Sequence, residues 1–104
     1  MINLLKFRPR TEDGQQTGED RFGDYMKAVA PFLQSAGGRV LYFGDVRATL
    51  IGPNESEWDR VIVVHYPDRS SFLKMAASPD FPSKLREEAL QDSRLICCVA
   101  TQSS

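Results

Sequence analysis

His65 is the one histidine of the 104-residue chain. An imidazole titrates near neutral pH, so at a strand end opening on a pocket it would act as a general base, or as a haem ligand. Asp45 and Arg47 follow Gly44 on an apolar stretch. An interruption of that kind re-aims side chains, which makes Asp45 the second acid–base candidate. Tyr25 and Tyr42 could donate hydrogen bonds to a carbonyl or phenolate oxygen. Arg86 carries the planar fork that clamps a carboxylate. Together these residues suit cofactor-independent proton transfer or oxygenation on a hydrophobic carbonyl or phenolic compound. His65 and Asp45 would be catalytic; Tyr25, Tyr42 and Arg86 would bind.

Each candidate has a structural alternative. A lone histidine also serves as a hydrogen-bonding group at a surface or a dimer seam, and Asp45 suits a bulge. Tyrosines on a helix stripe or a strand are ordinary core residues, and Arg86 could pair with Glu87, Glu88 or Asp92. Cys97 and Cys98, neighbours on a strand that point to opposite faces, make a poor disulfide, and they are expected to be buried packing residues because free cysteine is among the most buried residue types. One histidine and two adjacent cysteines do not make a tetrahedral zinc set, so no metal site is assigned. Phosphate-binding glycine loops and the G-x-S-x-G elbow are absent. Asp59–Tyr66 lacks the glycine and paired aromatics of an RNA-binding strand, which disfavours nucleic acid.

The elements that must position these side chains follow from periodicity. Ile2–Arg8 is a strand with Asn3, Leu5 and Phe7 on one face, and Pro9–Gly18 is an exposed loop. Thr17-Gly18-Glu19-Asp20 starts a helix whose stripe is Phe22, Met26, Val29 and Leu33. Pro31 should kink or break it, and Gly37-Gly38 ends it. Arg39–Gly52 reads as a long strand bulged at Gly44-Asp45, Pro53–Glu57 as a turn, and Trp58–Tyr66 as a buried strand. Asp68 caps a helix carrying Phe72 and Met75, and a second helical piece spans Pro82–Gln91. The last strand is Arg94–Thr101. This β-α-β-β-α-β order is the split arrangement of the ferredoxin-like fold, in the α+β class with a four-stranded antiparallel sheet.

Composition is bland: 13 Lys+Arg against 14 Asp+Glu, with 41% hydrophobic residues. That length predicts a single domain, residues 1–104, with no field to recruit nucleic acid or an anionic membrane. The amino-terminal stretch does not read as a signal peptide, no apolar run is long enough to span a membrane, and no cysteine framework is present. These features predict a cytoplasmic protein. Strand patterning adds a partner. Val61 and Val63 oppose Ile62 and Val64, so both faces of the sheet are apolar while two helices cover only one. Burying ~400 Å² of apolar area on each of two copies gives on the order of 20 kcal/mol gross, which favours a face-to-face homodimer. Trp58 would anchor its edge.

Tyr25-x5-Pro31, Gly37-Gly38-Arg39, Trp58-x7-Tyr66-Pro67-x4-Phe72 and Ser78-Pro79-Asp80-Phe81 ahead of Arg86 resemble a family of small uncharacterised proteins, a domain of unknown function. That family lies in the dimeric α/β-barrel, ferredoxin-like superfamily. The resemblance implies fold and homodimerisation and leaves the reaction open, since the superfamily includes cofactor-independent monooxygenases, haem-degrading enzymes, isomerases and stress-response barrels. His65 stands where relatives often carry an acid. The alternative to a small-molecule enzyme is a non-catalytic binding or stress-associated homodimer. A ligand-sized cavity with converging polar groups would separate the two.

Overall fold

Alternation along the strands decides which side chains meet the helices. The computed structural model describes residues 1–52 and 57–100. Strand β1 (Ile2–Phe7) leads to helix α1 (Gly18–Ser35), then strands β2 (Arg39–Asp45) and β3 (Arg60–His65). Helices α2 (Arg69–Ala76) and α3 (Ser83–Ala89) follow, and strand β4 (Leu90–Ile96) closes the order. The sheet runs β2-β3-β1-β4, with every neighbouring pair antiparallel. This is the ferredoxin-like α+β arrangement, its second helix divided into α2 and α3.

Local chemistry sets the helix ends as the sequence indicates. The Thr17 hydroxyl accepts the Asp20 N–H at 3.1 Å, and Asp68 Oδ1 accepts the Ser71 N–H at 2.7 Å, each satisfying an orphan donor. Beyond α1, Gly37 adopts φ 74°, Gly38 N–H reaches Leu33 O at 2.8 Å and Gly37 N–H reaches Gln34 O at 3.1 Å. That pair of bonds is a Schellman closure, and it needs a residue tolerant of positive φ. Gly18 answers a different need: a Cβ there would lie 2.4 Å from both Ala89 O and Arg8 O. The start of α1 is thus pressed against the ends of β1 and α3.

The core is built from Leu5, Phe22, Tyr25, Val29, Ile62, Val64, Ala89 and Leu90. Tilted and edge-on rings link Phe7, Phe22, Tyr25, Phe81 and Phe32 with centroid separations of 5.2–6.3 Å. The helix-facing positions are Asn3, Leu5 and Phe7 on β1 and Ile62 and Val64 on β3, each set sharing a face as alternation predicts.

Five expectations are corrected. Helix α1 runs through Pro31 to Ser35 without the break that was one of the two expected outcomes, with the proline on its exposed side. The loop after β1 is not simply exposed: Thr11 is buried and its N–H donates to Gln16 O at 2.9 Å. Arg21 ties that loop to α3 through Asp13 at 3.3 Å and Glu88 at 3.0 Å. Strand β2 stops at Asp45, and its register shift falls between Val40 and Tyr42 instead of at Gly44. The predicted turn lies largely outside the described residues. Strand β4 begins at Leu90, because Asp92 and Arg94 pair with Lys6 and Leu4 on a polar edge strand. Cys97 and Cys98 therefore lie past its end and are exposed in the protomer, while Thr101 is outside the described residues.

The outer sheet face carries Ile2, Leu4, Leu41, Tyr42, Val61, Val63 and Ile96, of which Leu41, Tyr42 and Ile96 are 55%, 58% and 42% exposed. Overall extents are 44 × 39 × 16 Å. The accessible surface is 7398 Å², against roughly 5,900 Å² for a compact monomer of this mass. Among the described residues no helix is long and apolar enough to cross a membrane.

Candidate functional site

The division of the second helix leaves a gap above the middle of the sheet. There Phe22, Tyr25, Met26, Val29 and Leu33 of α1 face Phe72, Met75 and Ala76 of α2. Ile62, Val64 and Leu95 form the floor. They line a cavity of about 270 Å³, just under the usual range of ligand sites. Polar groups enter an otherwise apolar wall at a few points: Asn3, Tyr25, Tyr66, Ser83, Arg86 and Glu87.

Arg86 projects from α3 toward the start of β4. Its Nη1 donates a long hydrogen bond, 3.5 Å, to Ser93 Oγ, while Nη2 is buried without a partner. Two other arginines withdrawn from solvent behave differently. Arg21 is held by Asp13 and Glu88, and Arg60 by Asp45 at 2.8 Å and Glu19 at 3.0 Å. Burial in the apolar wall raises the Tyr25 hydroxyl above its ordinary value, with the Arg86 charge opposing. Burial and then the neighbouring Tyr25 push Tyr66 up to about 12. Both phenols are neutral donors at physiological pH. Tyr66 is steadied by an edge-on contact with Phe72 at 5.3 Å.

Of the five residues singled out from sequence, the structure brings Tyr25 and Arg86 together at this cavity and places the other three elsewhere. His65 points to the opposite face, since it alternates with Ile62 and Val64. It lines a groove with Met1, Ile2, Leu41, Val63, Cys97 and Cys98. Tyr42 also faces outward, its ring lying over Gly44, where a Cβ would meet the hydroxyl oxygen at 2.4 Å. Asp45 is bound to Arg60, whose guanidinium lies between the rings of Phe7 and Phe43 at 4.9 and 4.7 Å. The expected single site built from all five is therefore corrected: strand parity and the Val40/Tyr42 bulge distribute them over three surroundings. Trp58 carries the Arg94 guanidinium 5.2 Å above its ring. No group of three or more His, Cys, Asp or Glu side chains is placed to hold a metal among the described residues.

Asn3 and Tyr66 were not among the sequence candidates. Asn3 could have been found: it is the one polar residue on the inward face of β1.

A ferredoxin-like sheet with a cavity between it and its helices defines the class of protein. Residues 13–99 match a family described as a domain of unknown function, DUF1330, and the chain belongs to that family. It is similar to RPA0582, a protein of unknown function from Rhodopseudomonas palustris, at 34% identity and a TM-score of 0.82, covering 91% of this chain and 75% of that one. A structure of methylated RPA0582 matches at 35% identity and a TM-score of 0.83, covering 91% and 74%. No curated protein matches the chain.

Proposed function

We propose that the protein is a homodimer in which each protomer holds a small hydrophobic molecule bearing a carbonyl or phenolic oxygen. The observation that carries this reading is the cavity between sheet and helices, apolar in its walls, with the neutral hydroxyls of Tyr25 and Tyr66 and the Arg86 guanidinium converging on it. Donors of this kind orient an oxygen that carries partial or full negative charge. Binding takes precedence over catalysis here, because the proposed acid–base pair His65 and Asp45 lies outside the cavity. Haem ligation by His65 at this cavity has no support for the same reason.

The apolar outer face supports the dimer. An excess of about 1,500 Å² over a compact monomer's surface is comparable to what one protomer of a stable dimer covers.

A thermal-shift screen of hydrophobic phenols and ketones tests the binding reading. A ligand at a hundredfold its Kd stabilises by ~2.7 kcal/mol, a rise in Tm of about 10 °C or more for a chain this short. Ala76→Leu fills the cavity from α2 and should abolish the shift. A screen in which no compound raises Tm would count against the proposal.

A further inference from the structure

Four arginines are withdrawn from solvent, and two of them, Arg8 and Arg86, keep a buried guanidinium nitrogen without a partner; of these two, Arg86 alone lines the cavity. Arg21 and Arg60 are each gripped by two acids, whereas no acid among the described residues pairs with Arg86. Glu87, next along α3, is exposed and makes no ion pair with it. A guanidinium nitrogen removed from water and left unbonded is costly, and native structures rarely keep one without a reason. The Ser93 hydroxyl at 3.5 Å offsets little of that cost.

From this we infer that the cavity recognises the carboxylate of a small hydrophobic acid, with Arg86 as the anion-binding residue. The inference rests on the binding reading above and narrows it to one headgroup. A carboxylate presents two acceptor oxygens to the planar fork, satisfies Nη2 and neutralises the charge within an apolar enclosure. Tyr25 and Tyr66, held neutral by burial, supply donors that do not repel it. The size of the body follows from volume: about 270 Å³ is roughly nine water volumes. That suits an acid of about ten to fifteen non-hydrogen atoms, an aryl-alkanoate or a medium-chain fatty acid. The ring-lined wall of Phe22, Phe72 and Phe81 favours an aromatic body.

The experiment compares two near-isosteric probes, 3-phenylpropanoate and 3-phenylpropanamide, by isothermal titration calorimetry at neutral pH and fixed ionic strength. A charge-assisted bond in place of a neutral one predicts that the acid binds ten- to a hundredfold more tightly to the unaltered chain. Arg86→Gln should reduce that preference to threefold or less while leaving amide affinity in place. Arg86→Lys, which keeps the charge but loses the fork, should fall between. Equal affinities, or a tighter amide, in the unaltered chain overturn the carboxylate assignment and leave the binding reading standing. A preference that survives in Arg86→Gln removes Arg86 from the role. Should Arg86→Gln not fold, an acid preference undiminished in Arg86→Lys overturns the fork's role equally. If neither probe binds, the carboxylate proposal fails. The broader reading fails with it only if the phenols and ketones of the thermal-shift screen fail too.

Discussion

Helix α1 contains two glycines, Gly18 and Gly23, for which one substitution should act with opposite signs. At Gly18 a Cβ would lie 2.4 Å from Ala89 O, 2.4 Å from Arg8 O and 2.6 Å from Arg8 N. All three are backbone atoms, so no side-chain rotation relieves the clash. The helix start must instead move off β1 and α3. That stretches the Gly18 N–H bond to Arg8 O and the Arg8 N–H bond to Ala89 O, both 2.9 Å. Overpacking costs ~1–3 kcal/mol, and a backbone-walled site sits at the upper end, so Gly18→Ala should lose about 3 kcal/mol. At Gly23 a Cβ meets nothing within 4 Å, and the residue is exposed in mid-helix. There alanine gains ~0.5–1 kcal/mol from backbone entropy alone. Urea unfolding followed by circular dichroism, at one fixed protomer concentration, measures both. In heat the pair should separate by about 15 °C or more in Tm. A Gly18→Ala protein within 0.5 kcal/mol of the parent, or two variants shifting the same way, would refute the close approach of α1 to the β1 and α3 ends.

The outer sheet face yields a second test. On the proposed dimer, Val63→Arg should convert a particle of twice 11.7 kDa into one of 11.7 kDa by light scattering, and an unchanged dimer would remove this face as its interface. Asp45→Asn should act on stability and not on ligand affinity, costing about 1 kcal/mol because its charged hydrogen bond to Arg60 is half exposed; a calorimetric change in 3-phenylpropanoate affinity with unaltered stability would contradict this. Absorbance at 295 nm should show the Tyr66 phenolate appearing only at about pH 12. Since its folded value is raised, the folded chain keeps a proton that the unfolded chain releases above pH ~10, so stability holds below that pH and declines as pH rises toward 12. Tyr66→Phe should flatten that decline. Thr17→Ala should cost ~1 kcal/mol by removing the α1 cap, with Thr17→Ser near neutral, both read from urea midpoints.

What the sequence makes legible is whatever a short-range rule decides. The caps at Thr17 and Asp68 are one side chain meeting one N–H three residues on, and the Gly37-Gly38 stop is a backbone requirement. The groupings of Asn3, Leu5 and Phe7, and of Ile62 and Val64, follow from alternation alone, while the choice of the inward face does not. The same count groups His65 with Val61 and Val63, away from Ile62 and Val64, and the structure shows that this group faces outward. Strand β4 was not legible in this way. Gln91–Arg94 is polar on both faces, as an edge strand bonded only to β1 can be, and polar residues after a helix read as its last turn. Val46, Leu50 and Ile51 mislead in the opposite sense: their types suit a strand, but Leu50 and Ile51 are 94% and 96% exposed in the protomer and pair with nothing there.

The position of Tyr42 turns on a single residue. Counted without interruption, Val40, Tyr42 and Gly44 share a face, and Val40 opposite Val64 would bring Tyr42 to the helix side. The shift between Val40 and Tyr42 inserts Leu41 into the ladder, so Tyr42 pairs with Val63 and turns outward, while Phe43 and Asp45 turn in to meet Ile62 and Arg60. A bulge at Gly44-Asp45 would have left Tyr42 on the helix side of the sheet. The observed one instead supplies Arg60 with its ring and its acid and adds a tyrosine to the apolar outer face. The cavity donors therefore come from elements the bulge does not touch. Tyr25 sits on the α1 stripe, Tyr66 just beyond β3, and Arg86 on a helix detached from α2 by Ser78-Pro79. That detachment opens the space, and it leaves Arg86 beside β4 with Ser93 as its one hydrogen-bond partner among the described residues.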